Sequence, residues 1–188
     1  MSDLPFAGQP TTGPLPAGVV LRPLSNEQDC LGETVQLYRR DWPLDLAPVQ
    51  WNLVSSRPDT LRGVHVHRTH WDYLCVLSGE MVVGLHDMRP HSRTYQLSVQ
   101  YRLAGDRPTS IVIPPGVAHG FYFPAAATHC YAVSHYWNTS DELGCRWDDP
   151  MLDLTWPTTD PLLSPRDATA PSYEELARTL MVREPSLS

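Results

Sequence analysis

Hydrophobic and polar positions along this chain alternate in short runs rather than at helical spacing. From Val19 onward, segments rich in β-branched and aromatic residues recur, among them Thr34 to Tyr38, Tyr73 to Leu77, Met81 to Leu85, Tyr95 to Tyr101 and Ser110 to Ile113. Turn-forming groups such as Ser78-Gly79-Glu80 and Ala104-Gly105-Asp106 separate them. Regular spacing of this kind predicts an all-β sandwich or barrel, because βαβ units would interpose helical patterns between the strands. The 19 prolines fall mostly in the first 50 residues, in loops and after residue 149, which leaves the central strands able to complete their ladders. One helix is predicted near the end, where Ser172-Tyr173-Glu174-Glu175 forms a capping box and Leu176 and Leu180 share the following face.

At 188 residues the chain has room for one domain with a substantial core. The reading divides it into a flexible Pro-, Gly- and Thr-rich arm over residues 1–18, a core over 19–160, and a tail over 161–188 carrying a helix at about 173–182.

Charge narrows the possible partners. The net charge is -7, and all 14 cationic side chains are arginines. Neither nucleic acid nor an anionic membrane is an expected partner, since both need a surplus of cations. A charged ligand must therefore be held locally by a few arginines. No run approaches the ~18 apolar residues of a membrane span, and the N-terminus lacks the basic start and apolar stretch of a secretory signal, so a cytoplasmic protein is expected. The four cysteines, Cys30, Cys75, Cys130 and Cys145, form no C-x-x-C pair, and Cys75 reads as a reduced core residue.

The candidate chemistry lies in the histidines. Three of the eight occur in the segment His65-Val66-His67-Arg68-Thr69-His70, and on a strand His65 and His67 project from one face. A second segment, Pro114-Pro115-Gly116-Val117-Ala118-His119, is a tight turn that delivers a histidine to the start of another strand. Together they resemble the two motifs of cupins, H-x-H followed by an acid (here Asp72) and a glycine (Gly79), then P-x-G-x-x-H. That resemblance implies a double-stranded β-helix, or jelly roll, with a short C-terminal helix added here. His70, His86, His91 and His129 stand outside the pattern and read as core or surface residues.

A more specific resemblance follows from four ordered segments: Arg62 to His65, Pro114 to Phe121, Tyr131 to Tyr136 and Arg146 to Pro157. They are similar to segments of the dTDP-4-dehydrorhamnose 3,5-epimerases, and the similarity runs from about Val19 through Trp51 and Asn52 to the closing segment Leu163 to Pro171. The resemblance implies a homodimer that removes a proton alpha to the C4 ketone of a nucleotide-linked 4-keto-6-deoxysugar and returns one on the opposite face, with no cofactor. His65 matches the base, Asp149 the carboxylate behind it and Tyr131 the acid. Arg62 matches a diphosphate-binding arginine, whose planar fork suits two phosphate oxygens. Asn52, Ser56, His119, Tyr136 and Gln36 match pocket positions.

The departures from the family cluster in that pocket. Leu31 and Gln36 stand where the pattern has Arg and Glu, both associated with the nucleotide. His67 replaces a Gln, and Asp72 aligns with a Lys expected to stabilise the enolate oxygen, which reverses the charge there. These same changes complete a cupin-type metal set of His65, His67, Asp72 and His119, suited to Fe, Mn, Ni or Zn. His65 cannot use one lone pair both for a metal and for a proton. Three readings are therefore carried forward: the epimerase, a metal-dependent cupin oxygenase or isomerase acting on another small molecule, and a ligand-binding cupin without catalysis.

Overall fold

The computed structural model describes residues 14–136 and 141–181. Most of the arm expected to be flexible, residues 1–13, lies outside the described residues, as does position 182 of the expected helix. Residues 14–18 pack on the barrel: Leu15 joins the core, Ala17 donates its N–H to Thr94 Oγ1 at 2.7 Å, and its carbonyl accepts from Arg89 at 2.6 Å.

Among the described residues twelve strands follow in order: β1 (Val20–Pro23), β2 (Asn26–Asp29), β3 (Gly32–Val35), β4 (Gln50–Ser56), β5 (Thr60–Val66), β6 (Asp72–Ser78), β7 (Glu80–Asp87), β8 (Ser98–Ala104), β9 (Thr109–Ile113), β10 (Val117–Phe123), β11 (Ala127–Val133) and β12 (Leu143–Gly144). Two five-stranded sheets, ordered β1-β9-β6-β11-β4 and β12-β5-β10-β7-β8, face each other as a jelly roll, and β2-β3 forms a separate hairpin. The run expected at Thr34 to Tyr38 keeps only its first residues as strand, and Tyr95 to Leu97 belong to a turn before β8. Among the described residues two short helices follow, α1 (Pro165–Ala168) and α2 (Tyr173–Met181), the first not predicted by periodicity because four residues show none.

Alternation sorts the side chains into three cores. Between the sheets lie Leu74, Val76, Val83, Leu103, Ile111, Phe121 and Phe123. Outside the second sheet, Leu61, Val64, Val82 and Tyr122 are covered by Leu152, Trp156, Tyr173 and Leu176 from the C-terminal segment. Outside the first sheet, Tyr73, Cys75, Val112 and Ala132 meet Leu24 and Leu46. Cys75 is a free, buried thiol, and burial pushes its pKa up to about 12.

Two details set the site. Gly84 and Gly120, paired across β7 and β10, form a floor for the Trp156 ring, since a Cβ on Gly84 would stand 2.7 Å from it. In β5, the pairing with β10 shifts register between His119 and Phe121, opposite Gly63, whose φ is 109°. A Cβ there would meet His119 O at 2.8 Å, so the irregularity requires glycine. Its effect is to reset the alternation: Leu61, Val64 and Val66 face the outer core, while Arg62 and His65 both reach the barrel interior despite their three-residue separation.

Candidate active site

The inner face of the barrel changes character along its length. At one end Val76, Phe123 and Ala127 fill it, and at the other the strands turn Arg62, His65, Asp72, His119, His129 and Tyr131 into a cavity of about 440 Å³. Val54, Leu74, Phe121 and Val133 supply its apolar wall. Two later segments complete the rim with Glu142 and with Ser164, Arg166 and Asp167.

The carboxylate at His65 belongs to Asp167, 2.7 Å from Nε2, and not to Asp149. Asp149 is a capping residue instead: it accepts from Met151 N at 3.1 Å and from Tyr173 N at 2.9 Å, fixing the 3₁₀ turn Pro150–Leu152 to the start of α2. The expected pairing of His65 with Asp149 is corrected on that ground. Asp167 is placed by its own helix, because Ser164 caps α1, accepting from Asp167 N at 3.1 Å and donating to its Oδ2 at 2.8 Å. Burial alone would raise the Asp167 pKa, but the hydrogen bond and charge of His65, the Ser164 hydroxyl and the Arg166 guanidinium hold it below the usual carboxylate range. Arg166 also lies against the imidazole, 2.7 Å from Nε2, and bridges to Glu142 at 2.8 Å.

Tyr131 projects from β11 into the same cavity. Burial, and then the charges of Glu142 and Asp72, raise its pKa, so the phenol keeps its proton. Arg62 lines the cavity with its Nε donating to Ser56 Oγ at 3.1 Å. Asn52 shares the inward face of β4 with Val54, its Oδ1 accepting from Gln50 at 3.2 Å. Tyr136 is 74% exposed and Gln36 is also exposed; neither lines the cavity, and both stand apart from the cavity-lining set expected from the motifs. Leu31 stands 91% exposed at the tip of the β2-β3 hairpin.

The expected metal set is also redrawn. His67, Asp72 and His119 present ligand atoms all within 4.8 Å of one another, whereas His65 is turned to Asp167 and Arg166. His70, read from the sequence as a bystander, has its Nε2 3.7 Å from Asp72 Oδ1. Burial, and then the charge of His70, pushes the His67 pKa down to about 4, while burial together with Glu142 and Asp141 raises Asp72 well above its ordinary value. Asp167, Arg166 and Glu142 escaped the motif-based reading. Ser164-Pro165-Arg166-Asp167 does carry the Ser-x-x-acid signature of a helix start, which is the one signal that marks Asp167 as a placed residue.

A jelly roll with a histidine-carboxylate pair and a phenol over one cavity invites comparison with known sugar-modifying enzymes. The family model for dTDP-4-dehydrorhamnose 3,5-epimerase matches residues 16–175. The chain belongs to this family. Among curated members, the dTDP-4-dehydrorhamnose 3,5-epimerase of Sinorhizobium fredii is 30% identical over 79% of this chain and 81% of that protein. The dTDP-4-dehydrorhamnose 3-epimerase of Streptomyces niveus is 35% identical over 68% of this chain and 63% of its own length. The Neisseria gonorrhoeae 3,5-epimerase is 30% identical over 81% of this chain, which spans only 49% of that longer protein. Among solved structures, NovW, a 4-keto-6-deoxy sugar epimerase from the novobiocin gene cluster of Streptomyces spheroides, superposes with a TM-score of 0.81 at 29% identity, covering 88% of each chain. The family is one of isomerases, and membership places this chain in that enzyme class.

Proposed function

We propose that this member of the family epimerises a dTDP-linked 4-keto-6-deoxysugar by proton transfer between His65 and Tyr131. The observation that carries the reading is a histidine backed by a buried carboxylate and a protonated phenol lining one cavity. Asp167, 2.7 Å from Nε2, backs His65 as the base that takes a proton from the carbon beside the C4 ketone. The C–H electron pair moves into an enolate, and the imidazolium formed is stabilised by Asp167. Tyr131 then gives its phenolic proton to the opposite face of that carbon, and solvent carries the His65 proton back to the phenolate. Arg62, steadied by Ser56, is suited to the diphosphate, and Arg166 lines the same cavity. Supporting the choice of ligand, a Legionella pneumophila relative solved in complex with dTDP-4-keto-L-rhamnose superposes on this chain with a TM-score of 0.80 at 27% identity, covering 90% of this chain and 95% of that one.

We read the working unit as a homodimer. In support, β4 is the outermost strand of its sheet, carrying Trp51 at 44% and Leu53 at 70% exposure, and Leu31 at the tip of the β2-β3 hairpin and the nearby Gln36 are exposed and outside the cavity lining. The test of the function is incubation with a dTDP-4-keto-6-deoxysugar in deuterium oxide. Deuterium appearing at C3 or C5 is expected, and retention of tight binding without exchange would assign the chain to ligand binding alone. A metal-dependent enzyme on another small molecule is favoured by one observation, the His67, Asp72 and His119 cluster, and would be supported by metal-dependent turnover of a non-nucleotide substrate.

A further inference from the structure

Beneath the proposed proton-transfer groups, the cavity floor holds four buried side chains, His67, His70, Asp72 and His119, each less than a tenth exposed. Three Nε2 atoms point to one carboxylate: His67 and His119 stand 3.5 and 3.6 Å from Asp72 Oδ2, and His70 3.7 Å from Oδ1. The other nitrogen of every ring meets an acceptor. His67 Nδ1 is 3.0 Å from the Asp141 carbonyl, His70 Nδ1 2.9 Å from Asp141 Oδ2, and His119 Nδ1 3.1 Å from the Val117 carbonyl. A carbonyl or carboxylate oxygen accepts only, so each Nδ1 carries the hydrogen and each Nε2 turns a lone pair inward. A carboxylate also offers only lone pairs there. Three imidazole lone pairs converging on one carboxyl group make a site suited to a cation.

Spacing identifies what fits. Bonds of about 2.0–2.1 Å from a metal to imidazole nitrogen and carboxylate oxygen give tetrahedral ligand–ligand edges of about 3.3–3.4 Å. The observed 3.5 and 3.6 Å to one Asp72 oxygen need only a tenth or two of closure. The Nδ1 contacts are the outer-shell hydrogen bonds that orient histidine ligands.

We propose that His67, Asp72 and His119 bind a divalent first-row transition-metal ion at the floor of the cavity, with His70 held against the second Asp72 oxygen. His65 is outside the set, which frees its lone pair for the proton and removes the conflict between base and ligand. Two imidazoles and one carboxylate leave coordination positions directed into the cavity. Binding stands on the geometry alone. Its use in the reaction rests on the proposed epimerase reading: a dication at Asp72 makes the floor positive, the sign that an enolate oxygen needs and that Asp72 alone would oppose.

The test uses the full chain, stripped with chelator, dialysed and titrated with Co(II) without substrate, reading visible d–d absorption and binding heat. One equivalent bound with a ligand-field spectrum is expected. Asp72→Asn and His119→Gln should each weaken binding by at least the roughly ten- to hundredfold that loss of an outer-shell partner costs. His65→Asn should bind as wild type does. Failure of the folded wild-type chain to take up Co(II) stoichiometrically overturns the proposal, and so does binding that His65→Asn abolishes. The wild-type titration decides even where a variant does not fold. Deuterium exchange is measured separately, so loss of the epimerase reading and loss of the metal site give different results.

Discussion

Replacing Asp167 by Asn separates the two carboxylates that could stand behind His65. The present contact is 2.7 Å long between Nε2 and a carboxylate whose pKa is held down by His65, Ser164 and Arg166. Hydrogen bonds to charged groups contribute about 1.5–3 kcal/mol, against about 1 kcal/mol for neutral ones. Asn keeps the shape and the Ser164 contact but no longer stabilises the imidazolium formed on proton abstraction. A loss of about 2 kcal/mol raises the barrier by about thirtyfold in rate. The fold should change little, because the Asp167 N–H still meets the Ser164 cap at 3.1 Å. Asp149→Asn should behave in the opposite way: its amide cannot accept from both Met151 N and Tyr173 N, so helix capping suffers by about 1 kcal/mol while chemistry is untouched. The assay is deuterium exchange into the dTDP-4-keto-6-deoxysugar followed by NMR, with thermal melts of both variants. The reasoning fails if Asp167→Asn exchanges at the wild-type rate, or if a folded Asp149→Asn loses exchange as deeply.

Three further outcomes are expected. Tyr131→Phe removes the proton donor but not the base, so exchange at carbon should continue while inversion falls at least ~100-fold, a range general-acid catalysis supplies; unchanged inversion by chiral analysis of the product would place the acid elsewhere. Gly84→Ala should destabilise the fold by about 1–3 kcal/mol, because its Cβ would stand 2.7 Å from the rigid Trp156 ring and 3.0 Å from Leu154, and a chemical denaturation midpoint equal to wild type would refute this. His129 is 2% exposed, and burial, with a smaller contribution from the Arg62 charge, lowers its pKa to about 4. A base whose folded pKa is depressed gives full stability above its unfolded pKa of about 6.5 and loses it as pH falls toward 4; between pH 7 and 5 this one proton should cost about 2 kcal/mol. Across that window wild type should therefore lose more stability than His129→Phe, and parallel melting curves would disprove it.

What the amino-acid sequence by itself determines here is local. Alternating runs place Leu74 and Val76 inward and Tyr73 and Cys75 outward on β6, because side chains on a strand change face at every residue. The Pro-Gly turn before His119 and the reciprocal Ser172–Glu175 capping bonds are similarly legible, since their partners lie within a few positions. The ordered motifs also identify the family and bring His65, Tyr131 and Arg62 to one cavity. Tertiary structure decides which group meets which. Asp167 reaches His65 across 102 positions of chain because Ser164 starts a helix at the barrel mouth, and periodicity contains no trace of that loop's path. His70 replaces His65 beside Asp72 for a related reason: after the strand ends at Val66, alternation no longer governs direction, and Asp141, arriving from another loop, turns the His70 ring inward. Strand geometry is a short-range property of the backbone, whereas the pairing of charged groups depends on where distant loops are packed.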